Sequence, residues 1–143
     1  MVARLTSKNM STDETLASRI TWEKGVDVFA QVWGDMKGPD GRFTFAAMTS
    51  MRLFPRQEVV FQGETGLIRM TGPFNAGLFA EAQLHMFRTG KADHIERFPG
   101  ARQYKLQVEA FNRRIRDGAA YAWSLEDAKG TQAMIDKVIA AAG

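Results

Sequence analysis

The last forty residues carry two amphipathic helix patterns, and such helices need a partner surface. The first pattern has apolar residues at spacings of four, three and four: Tyr104, Val108, Phe111 and Ile115. These spacings place the four side chains on one face of an α-helix. Gly118 follows the pattern and suits the left-handed conformation that commonly ends a helix.

The second helix pattern begins at Ser124. Ser124 and Asp127 stand in the positions of a capping box, and acidic residues in the first turn favour the helix dipole. Its apolar stripe consists of Ala128, Thr131, Ile135, Val138, Ile139 and Ala142. We expect both helices to pack on one face of a sheet, and the side chains expected to be buried there are Phe111, Ile115, Ile135 and Val138.

Everything upstream of the helices is typical of β-strands. The predicted strands are residues 2–7, 15–23, 26–33, 42–51, 57–62, 66–70, 82–87 and 92–98. Glycine-containing turns at 23–25, 63–66 and 89–91 join neighbouring segments into hairpins. The stretch 34–41 contains three glycines and a proline, which predicts a loop.

A run of strands followed by a run of helices predicts an α+β fold. Several strands alternate apolar and polar residues, as antiparallel strands with one exposed face do. We therefore predict a two-layer, mostly antiparallel open sheet with two C-terminal helices packed on one face, and a single domain over residues 1–143.

Composition narrows the classes of function. The chain has 143 residues and no cysteine, which excludes disulfides and thiolate metal sites and suits a cytoplasmic protein. No apolar run approaches the ~20 residues of a membrane span, and the first residues lack the apolar core of a signal peptide. The net charge of +3 comes from interleaved acidic and basic residues, so we expect neither nucleic acid nor a membrane as partner.

Candidate sites are few. Gly63 and Gly66 resemble a phosphate loop, but a strand pattern follows where a helix would be needed, which favours a hairpin turn. His85 and His94, with Asp93 and Glu96 nearby, offer too few convergent ligands for zinc and are interpreted as surface residues.

The chain offers no catalytic constellation from residue chemistry alone. Ser50, Ser124 and the two histidines form no recognisable triad, and Ser124 is explained as a helix cap. Arg52 and Arg56 flank an aromatic–proline turn, and an arginine pair there is the candidate site for an anionic substrate group. The alternative is a solvated strand connection outside any defined cleft, and it is favoured. We predict no catalytic, cofactor-binding or metal-binding residues.

Four stretches carry a resemblance to a known family: residues 13–25, residues 55–70, residues 103–118 and residues 124–136. In this order they resemble the C-terminal domain of the Gfo/Idh/MocA oxidoreductases, and the last two are the more specific. The resemblance implies an NAD(P)-dependent sugar or polyol oxidoreductase. In that family an N-terminal Rossmann domain binds NAD or NADP, and the sheet domain lines the substrate cleft and commonly builds the oligomer interface.

The family's catalytic parts are missing from these residues. There is no GxGxxG motif and no Glu-Lys-Pro motif, and Glu23-Lys24-Gly25 lies in a predicted turn. The resemblance implies a truncated, substrate-cleft and oligomerisation domain that is inactive alone and binds no cofactor. A Rossmann-domain protein is its possible partner.

A stand-alone dimeric binding or assembly module without enzymatic activity is the alternative. In both hypotheses we expect a homodimer or higher homo-oligomer through the open sheet face. The candidate side chains for that face are Phe29, Trp33, Phe43 and Phe45.

Overall fold

The computed structural model describes residues 15–38 and 41–143, and the predicted strand at 2–7 lies outside them. The fold is α+β, with open antiparallel sheets and two helices at the C-terminal end, as predicted. The elements are β1 (Leu16–Glu23), β2 (Val26–Gly38), β3 (Gly41–Ser50), β4 (Glu58–Gln62), β5 (Gly66–Thr71), a short 3-10 helix (Ala76–Phe79), β6 (Glu81–Arg88), β7 (His94–Pro99), α1 (Gln103–Asp117) and α2 (Leu125–Ala140).

The chain divides into two compact units. The first joins the residues up to Leu53 with Ala122–Gly143, and the second is Phe54–Tyr121. The strands accordingly form two sheets, β1-β2-β3 in the first unit and β4-β5-β6-β7 in the second. Helix α2 belongs to the first unit and α1 to the second. The assignment of residues 1–143 to one domain stays a prediction.

A two-residue turn joins β1 to β2. Lys24 and Gly25 both have positive φ, at 50° and 79°, and Glu23 pairs with Val26 across the turn. Positive φ at both central residues is the type I′ geometry that matches the twist of a hairpin. The predicted turn at 23–25 is confirmed.

Strand β2 is longer than the sequence indicated, because it continues to Gly38. Gly34 pairs with Leu16 on one side and with Phe45 on the other. A Cβ at Gly34 would lie 2.2 Å from the carbonyl oxygen of Thr15. The glycine therefore permits close approach of two strands. The loop predicted at 34–41 is wrong over the part that β2 occupies.

The register of β2 against β3 decides which aromatic residues share a face. Met36 pairs with Phe43 and Gly34 with Phe45, whereas Trp33 pairs with Ala46. Paired residues project to the same face of a sheet, and successive residues project to opposite faces. Phe43 and Phe45 therefore lie on one face, and Phe29 and Trp33 on the other. The expectation of one face for all four is wrong.

Helix α2 lies on the face that carries Phe43 and Phe45. Ser18 projects to that face from β1, and its hydroxyl donates to the carbonyl oxygen of Val138 at 2.5 Å. The capping box is confirmed: Ser124 Oγ accepts from the Asp127 amide at 3.1 Å, and Asp127 Oδ2 accepts from the Ser124 amide at 3.0 Å. Val138 is half-buried, but Ile135 is exposed, so its predicted burial is wrong.

The second unit is an antiparallel meander of four strands. The Gly63 amide donates to the Gly66 carbonyl oxygen at 2.9 Å, and β5 starts at Gly66. The glycine pair thus closes the predicted hairpin, and no helix follows it.

Helix α1 ends as predicted, with Gly118 in the left-handed conformation, but its predicted contact face is wrong. Phe111 is 54% exposed and Ile115 is 69% exposed. The less exposed positions of α1 are Gln103, Glu109 and Ala110. Helical periodicity shows which residues share a face, but it does not show which face meets the rest of the unit.

We predict that Gly34→Ala destabilises the first sheet by about 1–3 kcal/mol, because its Cβ would overlap the Thr15 carbonyl oxygen. Urea unfolding followed by circular dichroism measures the change. Gly77→Ala is the control, since a Cβ there meets nothing within 4 Å. Equal stability of Gly34→Ala and the unsubstituted protein would contradict the close approach of the strands.

Candidate functional site

One face of the second sheet is polar across four strands. Glu58 of β4 pairs with Thr71 of β5, Thr71 pairs with Gln83 of β6, and Gln83 pairs with Arg97 of β7. Since paired residues share a face, these side chains form a row across the sheet. Other polar residues of the same face, two positions along their strands, are Arg69, Glu81 and His85.

A cleft of about 500 Å³ lies over part of this face. Its lining residues are Pro55, Arg56, Gln57, Glu58, Arg69, Thr71, Gly72, Phe79, Ala80, Glu81 and Gln83. Gln57 fixes the connection that forms one wall: its side-chain oxygen accepts from the Asn75 amide at 2.9 Å, and its carbonyl oxygen accepts from the Gly72 amide at 3.0 Å. Ala76 starts the 3-10 helix of this connection and is buried.

Glu58 is the centre of the charged groups in the cleft. Its Oε2 accepts two hydrogen bonds from Arg69, from Nη2 at 2.7 Å and from Nε at 3.0 Å. Its Oε1 accepts from Arg56 Nη2 at 3.1 Å. The Arg69 hydrogen bonds are the main cause that lowers the pKa of Glu58, against the opposing effect of desolvation, and Arg56 adds to the lowering. The carboxylate of Glu58 is therefore ionised at neutral pH and accepts hydrogen bonds from two guanidinium groups.

A second group of polar side chains is connected along β6. Arg97 Nη1 pairs with Glu81 Oε1, and Gln83 Nε2 donates to the same oxygen at 2.6 Å. His85 Nε2 lies 2.7 Å from Gln83 Oε1. The carboxylate, the amide and the imidazole are thus held in one connected arrangement on the polar face.

The cleft is suited to binding a polar ligand. Its side chains include two arginines, two glutamates, a threonine and two glutamines. Glu58 pairs with both arginines of the cleft, and Glu81 pairs with Arg97. A ligand with charged or hydroxyl groups would replace some of these side-chain contacts with contacts to itself. Arg56 is the most available, because its side chain is 76% exposed against 46% for Arg69.

The two arginines singled out from the sequence belong to different units. Arg52 is in the first unit and forms an ion pair with Glu23. Arg56 is in the second unit, pairs with Glu58 and lines the cleft. Arg56 therefore lines a defined cleft, which the sequence did not indicate. Each of the two arginines forms an ion pair with a carboxylate of its own unit. A substrate role for either stays a prediction.

The two histidines project to opposite faces of their sheet. His94 pairs with Met86, whereas His85 pairs with Ile95, one position along. Adjacent positions alternate between faces, so the imidazoles do not converge. Across residues 15–38 and 41–143, no group of three or more histidine, aspartate or glutamate side chains is arranged to hold a metal ion.

The turn at Gly63 and Gly66 differs from a dinucleotide-binding turn, and the absence of a bound cofactor stays a prediction. Dinucleotide phosphates bind where a glycine-rich turn leads from a strand into a helix N-terminus. Gly63 and Gly66 lead from β4 into β5 instead.

Four central residues of the cleft were not predicted as site residues from the sequence: Glu58, Arg69, Glu81 and Gln83. A signal for some of them was present. Polar Glu81, Gln83 and His85 alternate with apolar Ala82 and Leu84, which indicates a polar sheet face. Their meeting with Glu58 and Arg69 depends on strand pairing, which alternation does not define.

Comparison with protein-family models and with curated protein sequences gives no match. In the part of the chain that the structure describes, neither helix has the length and apolarity needed to cross a membrane.

We predict that Glu58→Gln lowers the unfolding free energy of the second unit by about 0.5–1.5 kcal/mol at pH 7, because it weakens the hydrogen bonds from two arginines. Folding lowers the pKa of Glu58, so its stabilising effect is complete above the unfolded pKa of about 4.3 and is lost as pH falls through the folded value. The difference between Glu58→Gln and the unsubstituted protein should therefore shrink at acidic pH.

Urea unfolding at a series of pH values checks this prediction. Glu64→Gln in the exposed turn between β4 and β5 is the control and should leave stability unchanged. A Glu58→Gln effect that stays constant from pH 7 down to pH 2 would contradict the assigned role of the carboxylate.

Proposed function

We propose that the chain is a sheet module that contributes a polar substrate cleft and a self-association surface to an NAD(P)-dependent sugar or polyol oxidoreductase of the Gfo/Idh/MocA type. It is inactive alone, and a Rossmann-domain partner supplies the dinucleotide and the redox chemistry. The resemblance of the sequence stretches supports the family part of this proposal. The cleft around Glu58, with its hydrogen-bonding groups, supports a part in holding a polar substrate.

The observation that carries the proposal is the exposure of apolar side chains on both sheets. In the described residues the buried hydrophobic side chains are Val28, Met36 and Ala76. Trp33 and Met48 are exposed on the open face of the first sheet, at 46% and 60%. Contiguous exposed apolar surface usually marks an interaction site.

The second unit has a comparable apolar surface. The sheet face opposite the polar cleft carries Val59, Phe61, Ile68, Met70, Leu84, Met86 and Phe98. Ile68 and Phe98 are exposed, and the others are half-buried. The apolar stripe of α1 is exposed as well. These surfaces favour association with another polypeptide.

A stand-alone, non-enzymatic assembly module is the second candidate, and the same exposed surfaces favour it. The two candidates differ in the partner. A neighbouring reading frame that encodes a GxGxxG domain, and redox activity when the two proteins are mixed, would support the oxidoreductase module. Self-association with no activity in that mixture would support the assembly module.

We predict that the protein sediments at micromolar concentration as a dimer or larger species, at twice the 16.0 kDa chain mass or more. Trp33→Ser should raise the dissociation constant at least about tenfold, since a central tryptophan often contributes most to an interface. Lys91→Ser, in the exposed turn before β7, is the control and should change nothing. A single species near 16.0 kDa would contradict the proposal.

We also predict that the isolated protein neither binds NAD or NADP at micromolar concentration nor oxidises sugars, because Gly63 and Gly66 do not build a phosphate site. Calorimetric titration with each dinucleotide measures the binding. A dissociation constant in the micromolar range would contradict the division of roles between this chain and a Rossmann-domain partner.

A further inference from the structure

The two outer strands of the first sheet differ in how their edges are protected. An edge strand exposes backbone donors and acceptors, and proteins commonly block it with charges, prolines or bulges. Strand β1 has a register shift between Thr21 and Trp22 and carries Arg19 and Glu23. Strand β3 has neither charge nor proline from Phe43 to Ser50, and its pairing with β2 is regular throughout.

Backbone groups along β3 point alternately toward β2 and away from it. The Met51 amide donates to the Val28 carbonyl oxygen at 2.9 Å, so the odd-numbered residues of β3 form hydrogen bonds with β2. In an antiparallel ladder every second residue bonds to a given neighbour, and the residues between them point the other way. The outward-pointing residues are Thr44, Ala46 and Met48. In the described part of the chain, no strand pairs with this outer edge.

We propose that β3 pairs with β3 of a second copy of this chain. The two strands run antiparallel about a two-fold axis at Ala46 and join the two three-stranded sheets into one. Outward-pointing residues then meet one another: Ala46 faces Ala46 of the other copy, and Thr44 faces Met48. Three residues in each copy exchange about six hydrogen bonds, because each supplies one N–H and one C=O.

The side chains suit this register. A two-fold axis perpendicular to the sheet keeps each face continuous, so Phe45 faces Ala47 and Phe43 faces Thr49 across the junction. Each large side chain therefore lies beside a smaller one. This complementarity of size along Phe43–Thr49 favours Ala46 as the centre and a second copy of the chain as the occupant of the edge.

This contact is separate from the proposed association through the open face that carries Trp33. Backbone hydrogen bonds along the sheet edge stabilise one, and side chains on the sheet surface stabilise the other. Because Thr44, Ala46 and Met48 share the open face with Trp33, the pattern of linking among several cysteine variants, and not linking of Ala46→Cys alone, distinguishes the two contacts.

Single cysteines in the 143-residue chain test the pairing, because its sequence has none. In this register the two Ala46 Cα atoms are about 5.5 Å apart, within the range that a disulfide spans. Ala46→Cys should therefore form disulfide-linked dimers on mild oxidation. Thr44→Cys and Met48→Cys should each stay unlinked alone, because equivalent residues lie about 13 Å apart along the strands. An equal mixture of these two variants should become linked.

Thr21→Cys on β1 is the control for random collisions and should stay unlinked, and circular dichroism verifies that each variant is folded. Failure of Ala46→Cys to link in a folded protein would overturn the proposal, as would linking of Thr44→Cys with itself. An unlinked Ala46→Cys in a protein that still sediments as a dimer would overturn the edge pairing alone. A protein that neither links nor sediments above 16.0 kDa would overturn both contacts.

Discussion

Backbone hydrogen bonding between antiparallel strands is the interaction on which both units depend. In the described residues few hydrophobic side chains are buried, and Val28 and Met36 of β2 are two of them. Strand β2 pairs along its length with β1 and β3, which makes it the centre of the first sheet. An open sheet gains its remaining stabilisation when its apolar face is covered. The exposed apolar surfaces are therefore the part of the fold that association would complete.

The same register creates both the polar and the apolar surfaces of the second unit. Pairing Glu58 with Thr71 and Thr71 with Gln83 collects hydrogen-bonding side chains on one face. Their neighbours along the strands then collect on the opposite face, where Phe61 and Ile68 are paired. A shift of one residue would exchange the two surfaces, because side chains alternate along a strand. Strand pairing thus determines both the cleft and the apolar face that accompanies it.

Features fixed by local chemistry could be predicted from the sequence. The turn at Lys24 and Gly25, the cap at Ser124 and the helix end at Gly118 each depend on a few neighbouring residues. The antiparallel hairpins and the α+β class followed from the order of such segments. The resemblance to the Gfo/Idh/MocA oxidoreductases is a different kind of inference and stays a prediction.

Features fixed by distant partners could not be predicted in the same way. Glycine is common in loops, but the role of Gly34 depends on its close approach to the carbonyl oxygen of Thr15, which precedes β1. The stripe that contains Phe111 identifies a helix face without identifying what it meets. Arg56 was a candidate from its sequence neighbours, whereas Arg69, which makes the stronger contact with Glu58, becomes visible only when β4 and β5 are paired.

Amide hydrogen exchange along β3, measured by NMR at increasing protein concentration, tests most directly whether association completes the sheet. The amides of Phe45 and Ala47 point toward β2 and should exchange slowly at every concentration. We expect the outward-pointing amides of Thr44, Ala46 and Met48 to exchange fast in dilute solution and to exchange more slowly as the protein concentration rises. Fast exchange of these three amides at every concentration would contradict this expectation.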